Sequence, residues 1–253
     1  MAARPITVHI PPELRFFLPA RHRQGRLRLP HDSDATLGHT VQSLGIPLTE
    51  VGRLHTQGRT VEAGHRPDPG ESVRVESRTW PQPAPTSPPR LLLDVHLGAL
   101  ARRLRLLGVD TAYDNDREDP ALLAQANAEQ RVLLTRDRGL LFRRALQAGA
   151  HVRRQHPDAQ LREVLARFAP PLDPWTRCPA CNGLLDPVTP EEVAHRLEPG
   201  TRATYDTFAQ CRGCARIYWP GAHHENLREI LRQARHHTPP PEQEHGWGEG
   251  PQA

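Results

Sequence analysis

The stretch LLLDVHLGALARRLRLLGVDTAY, residues 91–113, decides how the chain is to be read. Leu91, Leu92 and Leu93 form a short buried strand that stops on Asp94. Leu97, Leu100, Ala101, Leu104 and Leu107 then recur on one face of a helix, with Arg102, Arg103 and Arg105 elsewhere and Gly108 at its C′ position. VDTAY is the next strand. A strand, a helix and a strand joined by short links predict parallel pairing.

The pattern repeats downstream. Asp119-Pro120 predicts a helix start, with Asp119 at the N-cap and Pro120 at the first position of ALLAQANAEQ. RVLLT predicts a third strand, ending near Asp137, and LLFRRALQAG a third helix ending at Gly149. AHVRR is a candidate fourth strand, and DAQLREVLARF, residues 158–168, a further helix. Residues 91–170 therefore read as an α/β domain.

In such a sheet, ligands gather beyond the carboxyl ends of the strands. Asp94 falls there after the first strand, Asp114 or Asp116 after the second, and Asp137 after the third; Asp119 opens the adjoining helix. Each has a plainer reading. Asp119 could only cap its helix, Asp137 likewise, and Asp114, Asn115 and Asp116 could be a solvated loop. Yet acids this close repel, so keeping several ionised implies a cation. Hard oxygen ligands favour Mg²⁺ or Mn²⁺.

Residues 1–79 form a separate unit. ITVHI and RLRL predict strands, TLGHTVQSL a short helix capped near Ser33 or Asp34 and closed by Gly45. GRLHTQGRTVEAG reads as a turn-linked strand pair and ESVRVES as a closing strand, the order of a ubiquitin-like α+β β-grasp. Its first 30 residues are basic, with Arg4, Arg15, Arg21, Arg23, Arg26 and Arg28 against Glu13. WPQPAPTSPPR, residues 80–90, is a proline-rich linker expected to hold the two units apart.

The four cysteines stand as CPAC and CRGC: Cys178, Cys181, Cys211 and Cys214. Two C-x-x-C knuckles supply four thiolates for a tetrahedral structural Zn²⁺, in a ribbon over residues 171–233. The loop between the knuckles is long enough to carry structure of its own. His223 and His224 beside Glu225 offer a second metal reading, weaker because four cysteines already suffice. Tyr218 and Trp219 could stack bases or pack on the knuckle. HTPPPEQEHGWGEGPQA, within the 234–253 tail, is expected to be disordered.

Composition narrows the function classes. All 33 basic side chains are Arg, so lysine Schiff-base and P-loop chemistry are excluded. The formal charge of +4 is compatible with nucleic acid. No apolar run reaches the roughly 20 residues of a membrane span, and MAARPITVHI lacks a secretory core, so a soluble cytoplasmic protein without a membrane partner is expected.

Taken together, LLLDVHLGALARRLRLLGVDTAYDND, DPALLAQA, VLLTRDRGLL, CPAC and CRGCARIYWPGAHHENLREIL resemble the ribonuclease domain named after the C-terminal region of the Mut-seven exonuclease, a PIN-like nuclease with a C-terminal zinc ribbon. The likeness covers about residues 90–233, and the first unit resembles the ubiquitin-like domain fused to such nucleases. The resemblance implies a PIN-like parallel sheet with flanking helices that hydrolyses RNA with Mg²⁺ or Mn²⁺. Asp94, Asp119 and Asp137 match the family's acidic positions, and Arg136 the polar position beside the last. Asp114 and Asp116 match less closely, which leaves a fourth acid unassigned.

Sulfur carriers of similar outline end in a free Gly-Gly, whereas this closing strand runs into SRTWPQPAP. Thiocarboxylate chemistry is therefore not expected, and the unit is left to bind a protein partner or present RNA. The rival to a nuclease is a non-catalytic RNA-binding adaptor with vestigial acids. A toxin-type PIN protein fits less well, because those are small single domains.

Overall fold

The computed structural model describes residues 3–220. His223, His224, Glu225 and the 234–253 tail lie outside the described residues, as does the end of the expected ribbon.

In the N-terminal domain, β1 (Ile6–His9), β2 (Arg26–Leu29), α1 (Leu37–Ser43), β3 (Val51–Thr56), β4 (Arg59–Val61) and β5 (Ser72–Ser77) build one mixed sheet under one helix. The strand order is β2-β1-β5-β3-β4. Only β1 and β5 run parallel among these pairs; the others are antiparallel. Alternation explains the layer: Ile6, Val8, Leu27, Leu54, Val73 and Val75 turn inward against Leu37 and Val41 of α1, and the intervening residues face water. The helix is capped by Thr36, whose side chain accepts from the N–H of His39 at 3.2 Å. The cap thus lies two to three residues beyond the Ser33–Asp34 pair expected from the sequence.

The second domain is a four-stranded parallel sheet. It runs β6 (Leu91–Leu93), α2 (Gly98–Leu106), β7 (Thr111–Tyr113), α3 (Asp119–Ala128), β8 (Val132–Thr135), α4 (Arg138–Leu141), β9 (Gly149–His151) and α5 (Pro157–Phe168). The order is β7-β6-β8-β9. Leu91, Leu93, Val132 and Leu134 face α2 and α5. Leu92 and Leu133 face Leu122 and Ala126 of α3 and Leu140 of α4. Burial on both faces is why these strands read as unbroken aliphatic runs.

Two local expectations are corrected. LLFRRALQAG is not a long helix: α4 makes one turn, and Gly149 begins β9 instead of ending a helix. Asp119 is the first residue of α3, not its N-cap; Glu118 holds the cap and Pro120 follows.

The ribbon consists of β10 (Leu185–Val188), α6 (Pro190–Val193), α7 (Pro199–Thr204), β11 (Phe208–Cys211) and β12 (Ile217–Tyr218), with an antiparallel order β10-β11-β12. Structure within the inter-knuckle loop was expected from its length. The Thr189 hydroxyl and Glu192 carboxylate close a capping box at the start of α6.

The proline-rich segment does not hold the first two domains apart. Gln82 is buried; its N–H donates to the Arg167 carbonyl at 2.6 Å, and its side-chain oxygen accepts from Arg167 Nε at 2.7 Å. Glu50, just before β3, takes Arg167 Nη2 at 3.1 Å and the His151 N–H at 2.7 Å through Oε1. Arg138 donates to the carbonyls of Phe16 and Phe17, both at 3.3 Å, and lies over the Phe16 ring at 4.7 Å. Proline favours extended backbone, but extension alone does not prevent the ends from folding back.

Candidate functional site

Strand order locates the site before any side chain does. In β7-β6-β8-β9 the connection leaves β6 towards β7 and later returns past it to β8. The switch point therefore lies between β6 and β8, where open parallel sheets form a crevice at their carboxyl ends. Asp94 follows β6 and Asp137 follows β8, so the two acids flank that crevice.

Asp94 is buried, at 3% exposure. Its Oδ1 accepts from the His96 N–H at 2.9 Å, and its Oδ2 from the Arg136 N–H at 3.2 Å and the Thr135 hydroxyl. Asp137 is exposed and caps α4, its Oδ1 accepting from the Gly139 N–H at 2.7 Å. Its own N–H donates to Thr135 Oγ1 at 2.8 Å. One buried hydroxyl thus bonds to the first carboxylate and to the backbone of the second. Neither acid has an ion-pair partner among the described residues.

Thr135 carries this geometry, and sequence reading gave it no role. Its signal was present: a β-branched hydroxyl residue ending an aliphatic strand just ahead of an acid.

The other acids stand differently. Asp119 is exposed at the start of α3. Asp114 and Asp116 form a solvated turn in which the Asp116 N–H donates to Asp114 Oδ1 at 3.1 Å. Arg117 pairs with Asp114 at 3.2 Å, and these bonds hold the Asp114 carboxyl below its ordinary range. Arg136 is exposed beside the crevice. Among the described residues, no three carboxylates bring their oxygens within 4.8 Å of one another; only the four cysteines form such a group. In donor type, Asp94 and Asp137 suit a hard divalent ion, offering carboxylate oxygens with no ion-pair partner among the described residues.

The cysteine cluster is compact. Sγ of Cys178 lies 3.7 Å from that of Cys214, and Sγ of Cys181 lies 3.4 Å from that of Cys211. Four ligands at about 2.3 Å from one tetrahedral Zn²⁺ would be about 3.8 Å apart, so the donor set suits zinc. Burial raises the Cys178 thiol, but bonds from the Tyr218 hydroxyl and the N–H groups of Cys181 and Ala180 outweigh it and lower it to about 7. Cys181, an exposed residue whose thiol is desolvated within the cluster and bonded to the neighbouring thiols, is pushed up to about 12. Tyr218 thus serves the knuckle, its hydroxyl 3.1 Å from Cys178 Sγ, while Trp219 packs near Tyr205 and Phe208.

This cluster is tied to the amino end of β7, whereas Asp94 and Asp137 follow the carboxyl ends of β6 and β8. Asn182, inside the first knuckle, accepts from the Thr111 N–H at 3.0 Å and donates to Asp110 at 2.8 Å. Both partners stand at the amino end of β7. The buried Arg105 ties the same corner, donating to the carbonyls of Thr111, Pro179 and Ala180 at 2.8, 3.1 and 2.9 Å. The sequence places Arg105 off the apolar face of α2, yet its side chain is buried here.

No helix among the described residues is long and apolar enough to cross a membrane. Residues 89–231 match the Mut7-C RNAse domain, and residues 3–82 match the Mut7-C ubiquitin domain. Comparison with curated proteins and with solved structures yields no match.

Proposed function

Because this chain belongs to the Mut7-C RNAse domain family, carried behind a Mut7-C ubiquitin domain, we propose that it is a metal-dependent ribonuclease hydrolysing RNA phosphodiester bonds. The observation that best supports this reading is the pairing of Asp94 and Asp137 across the switch point, joined through Thr135 and unmatched by any ion pair among the described residues.

Asp94 and Asp137 would hold Mg²⁺ or Mn²⁺, with Asp119 or Asp116 completing the set. Such an ion, when bound, would offset phosphodiester charge and favour a hydroxide nucleophile. The protein supplies the frame. Three donors fix the orientation of the Asp94 carboxylate. Asp137, exposed and anchored through one oxygen, leaves its second oxygen for a ligand. Arg136 stands beside them as a partner for the RNA phosphate. In the ribbon, Cys178, Cys181, Cys211 and Cys214 would hold a structural zinc; the bonds of Asn182 and Arg105 from the first knuckle to the amino end of β7 support that role.

The absence of three convergent carboxylates among the described residues favours the second reading, an RNA-binding adaptor without catalysis. One experiment separates the two. RNA cleavage is measured with and without Mn²⁺ for the wild type, Asp137→Asn, Asp94→Asn and, as a control, Asp186→Asn in the ribbon. Cleavage that needs Mn²⁺ and is abolished by the first two changes alone supports the nuclease. RNA binding without metal-dependent cleavage in the wild type leaves the adaptor.

A further inference from the structure

The register of the N-terminal sheet puts four basic residues in one line. Arg26 of β2 pairs with His9 of β1, His9 with Arg74 of β5, and Arg74 with His55 of β3. All four lie on the face turned away from α1, because their neighbours Leu27, Val8, Val73 and Leu54 fill the core. Arg26 and Arg74 are exposed; His9 and His55 are half-buried. With strands about 4.8 Å apart, the row spans about 14 Å. The next row adds Arg28, Thr7 and Ser72, a cation and two hydroxyls.

We infer that this face binds the phosphate backbone of single-stranded RNA, with Arg26, His9, Arg74 and His55 as its track. Two observations favour that partner. Glu76 is the sole carboxylate on the five strands, and it pairs with His55 at 2.8 Å. His9 is held below its ordinary range by burial and then by repulsion from Arg26 and Arg74, which flank it in the register. A phosphate between them would relieve that repulsion.

The face also lacks what a protein partner requires. Protein interfaces depend on buried aromatic or aliphatic anchors. The exposed large apolar residues among those described are Phe16, Trp80, Val95, Leu184 and Trp219, and none belongs to these strands. Cations and hydroxyls without an apolar centre match a sugar–phosphate chain better than an acidic protein.

The test uses the full-length protein and a fluorescein-labelled oligouridylate, followed by anisotropy over a salt series. No divalent ion is added, so binding is read apart from cleavage and the outcome does not depend on the nuclease reading. The variant Arg26→Ser/Arg74→Ser is compared with Arg66→Ser/Arg202→Ser, which removes equal charge from exposed positions elsewhere. The row variant should bind roughly tenfold more weakly, with a log–log salt slope shallower by roughly 1.4, about 0.7 per lost phosphate contact. Arg26→Lys/Arg74→Lys should recover most of the affinity. Equal effects in the two serine variants overturn the assignment. So does unchanged oligouridylate binding with loss of binding to polyglutamate, which would make the face a protein-docking surface.

Discussion

The carboxylate of Glu50, in the N-terminal domain, lies 2.7 Å from the main-chain N–H of His151 in the parallel sheet of the next domain. The same oxygen takes Arg167 at 3.1 Å, and both side chains of that ion pair are about 96% shielded. Glu50→Ala leaves Arg167 without its carboxylate, and the His151 N–H without its acceptor, inside the interface. The expected cost is about 3–5 kcal/mol of docking. Limited proteolysis within residues 80–90 checks it: cut wild type should still elute as one particle, whereas the cut variant should separate into two. Separation of the cut wild type would show that the interface does not hold.

His151 gives the same interface a pH dependence. Its ring packs against Phe16 and Phe17 at 5.6 and 5.4 Å, and its Nδ1 is buried with no partner among the described residues. Burial lowers its pKa most; Glu50 opposes this, while Arg138 and Arg153 add to the lowering. The docked state therefore binds fewer protons than the open one. Docking should be fully stable above the unfolded value of 6.5 and should weaken as pH falls below it. A melting temperature that declines between pH 7 and pH 5, with the decline reduced in His151→Gln, is the expected result.

Thr135 should matter to chemistry more than to folding. Thr135→Val keeps the shape but removes the hydroxyl that bonds Asp94 and receives the Asp137 N–H. Stability should drop by about 1–3 kcal/mol, because a buried acceptor and a donor lose their partner. Cleavage should fall further than that loss explains at temperatures where the variant is folded. Thr135→Ser should restore it.

Asp137→Asn should lower Mn²⁺-dependent cleavage by orders of magnitude while leaving metal-free stability unchanged or slightly raised. If Asp137 only caps α4, the variant would lose about 1 kcal/mol at most and cleave normally. Calorimetric melting beside the cleavage assay distinguishes the outcomes.

Zinc removal should be felt beyond the ribbon. Asn182 and Arg105 join the first knuckle to Asp110 and Thr111, so its loss opens one edge of the parallel sheet. Chelation, or Cys178→Ser, should lower the melting temperature of the central domain, while the N-terminal sheet keeps its hydrogen-exchange protection. Elemental analysis well below one zinc per chain in the wild type would refute the structural site.

The fold was legible where periodicity is strong. Leu91 to Tyr113 gave strand, helix and strand, and Asp94 and Asp137 marked equivalent strand ends. Legibility failed where a distant partner decides the outcome. The segment after Arg138 looks helical, yet Leu141 and Leu146 pack beside Gly149 as the chain turns into β9. Arg105, Arg138 and Arg167 carry no local signal of burial, yet each is held by carbonyls or a carboxylate far along the chain. Local pattern cannot show such pairings, nor that Thr135 would share its hydroxyl between two acids.

Glu50 also has a bearing on how the domain pair evolved and how it can be handled. On β9, the Val152 N–H turns inward to Thr135, so the alternate His151 N–H faces the open side of the sheet. An open strand border with unused donors invites strands from other molecules. In the intact chain that border is closed by a carboxylate the strand does not itself encode. The Mut7-C RNAse domain expressed from residue 89 onward should therefore self-associate through β9, and adding the N-terminal domain in trans should keep it monomeric. Fusion of the two domains would then protect the second from its own sheet, whatever else the first binds.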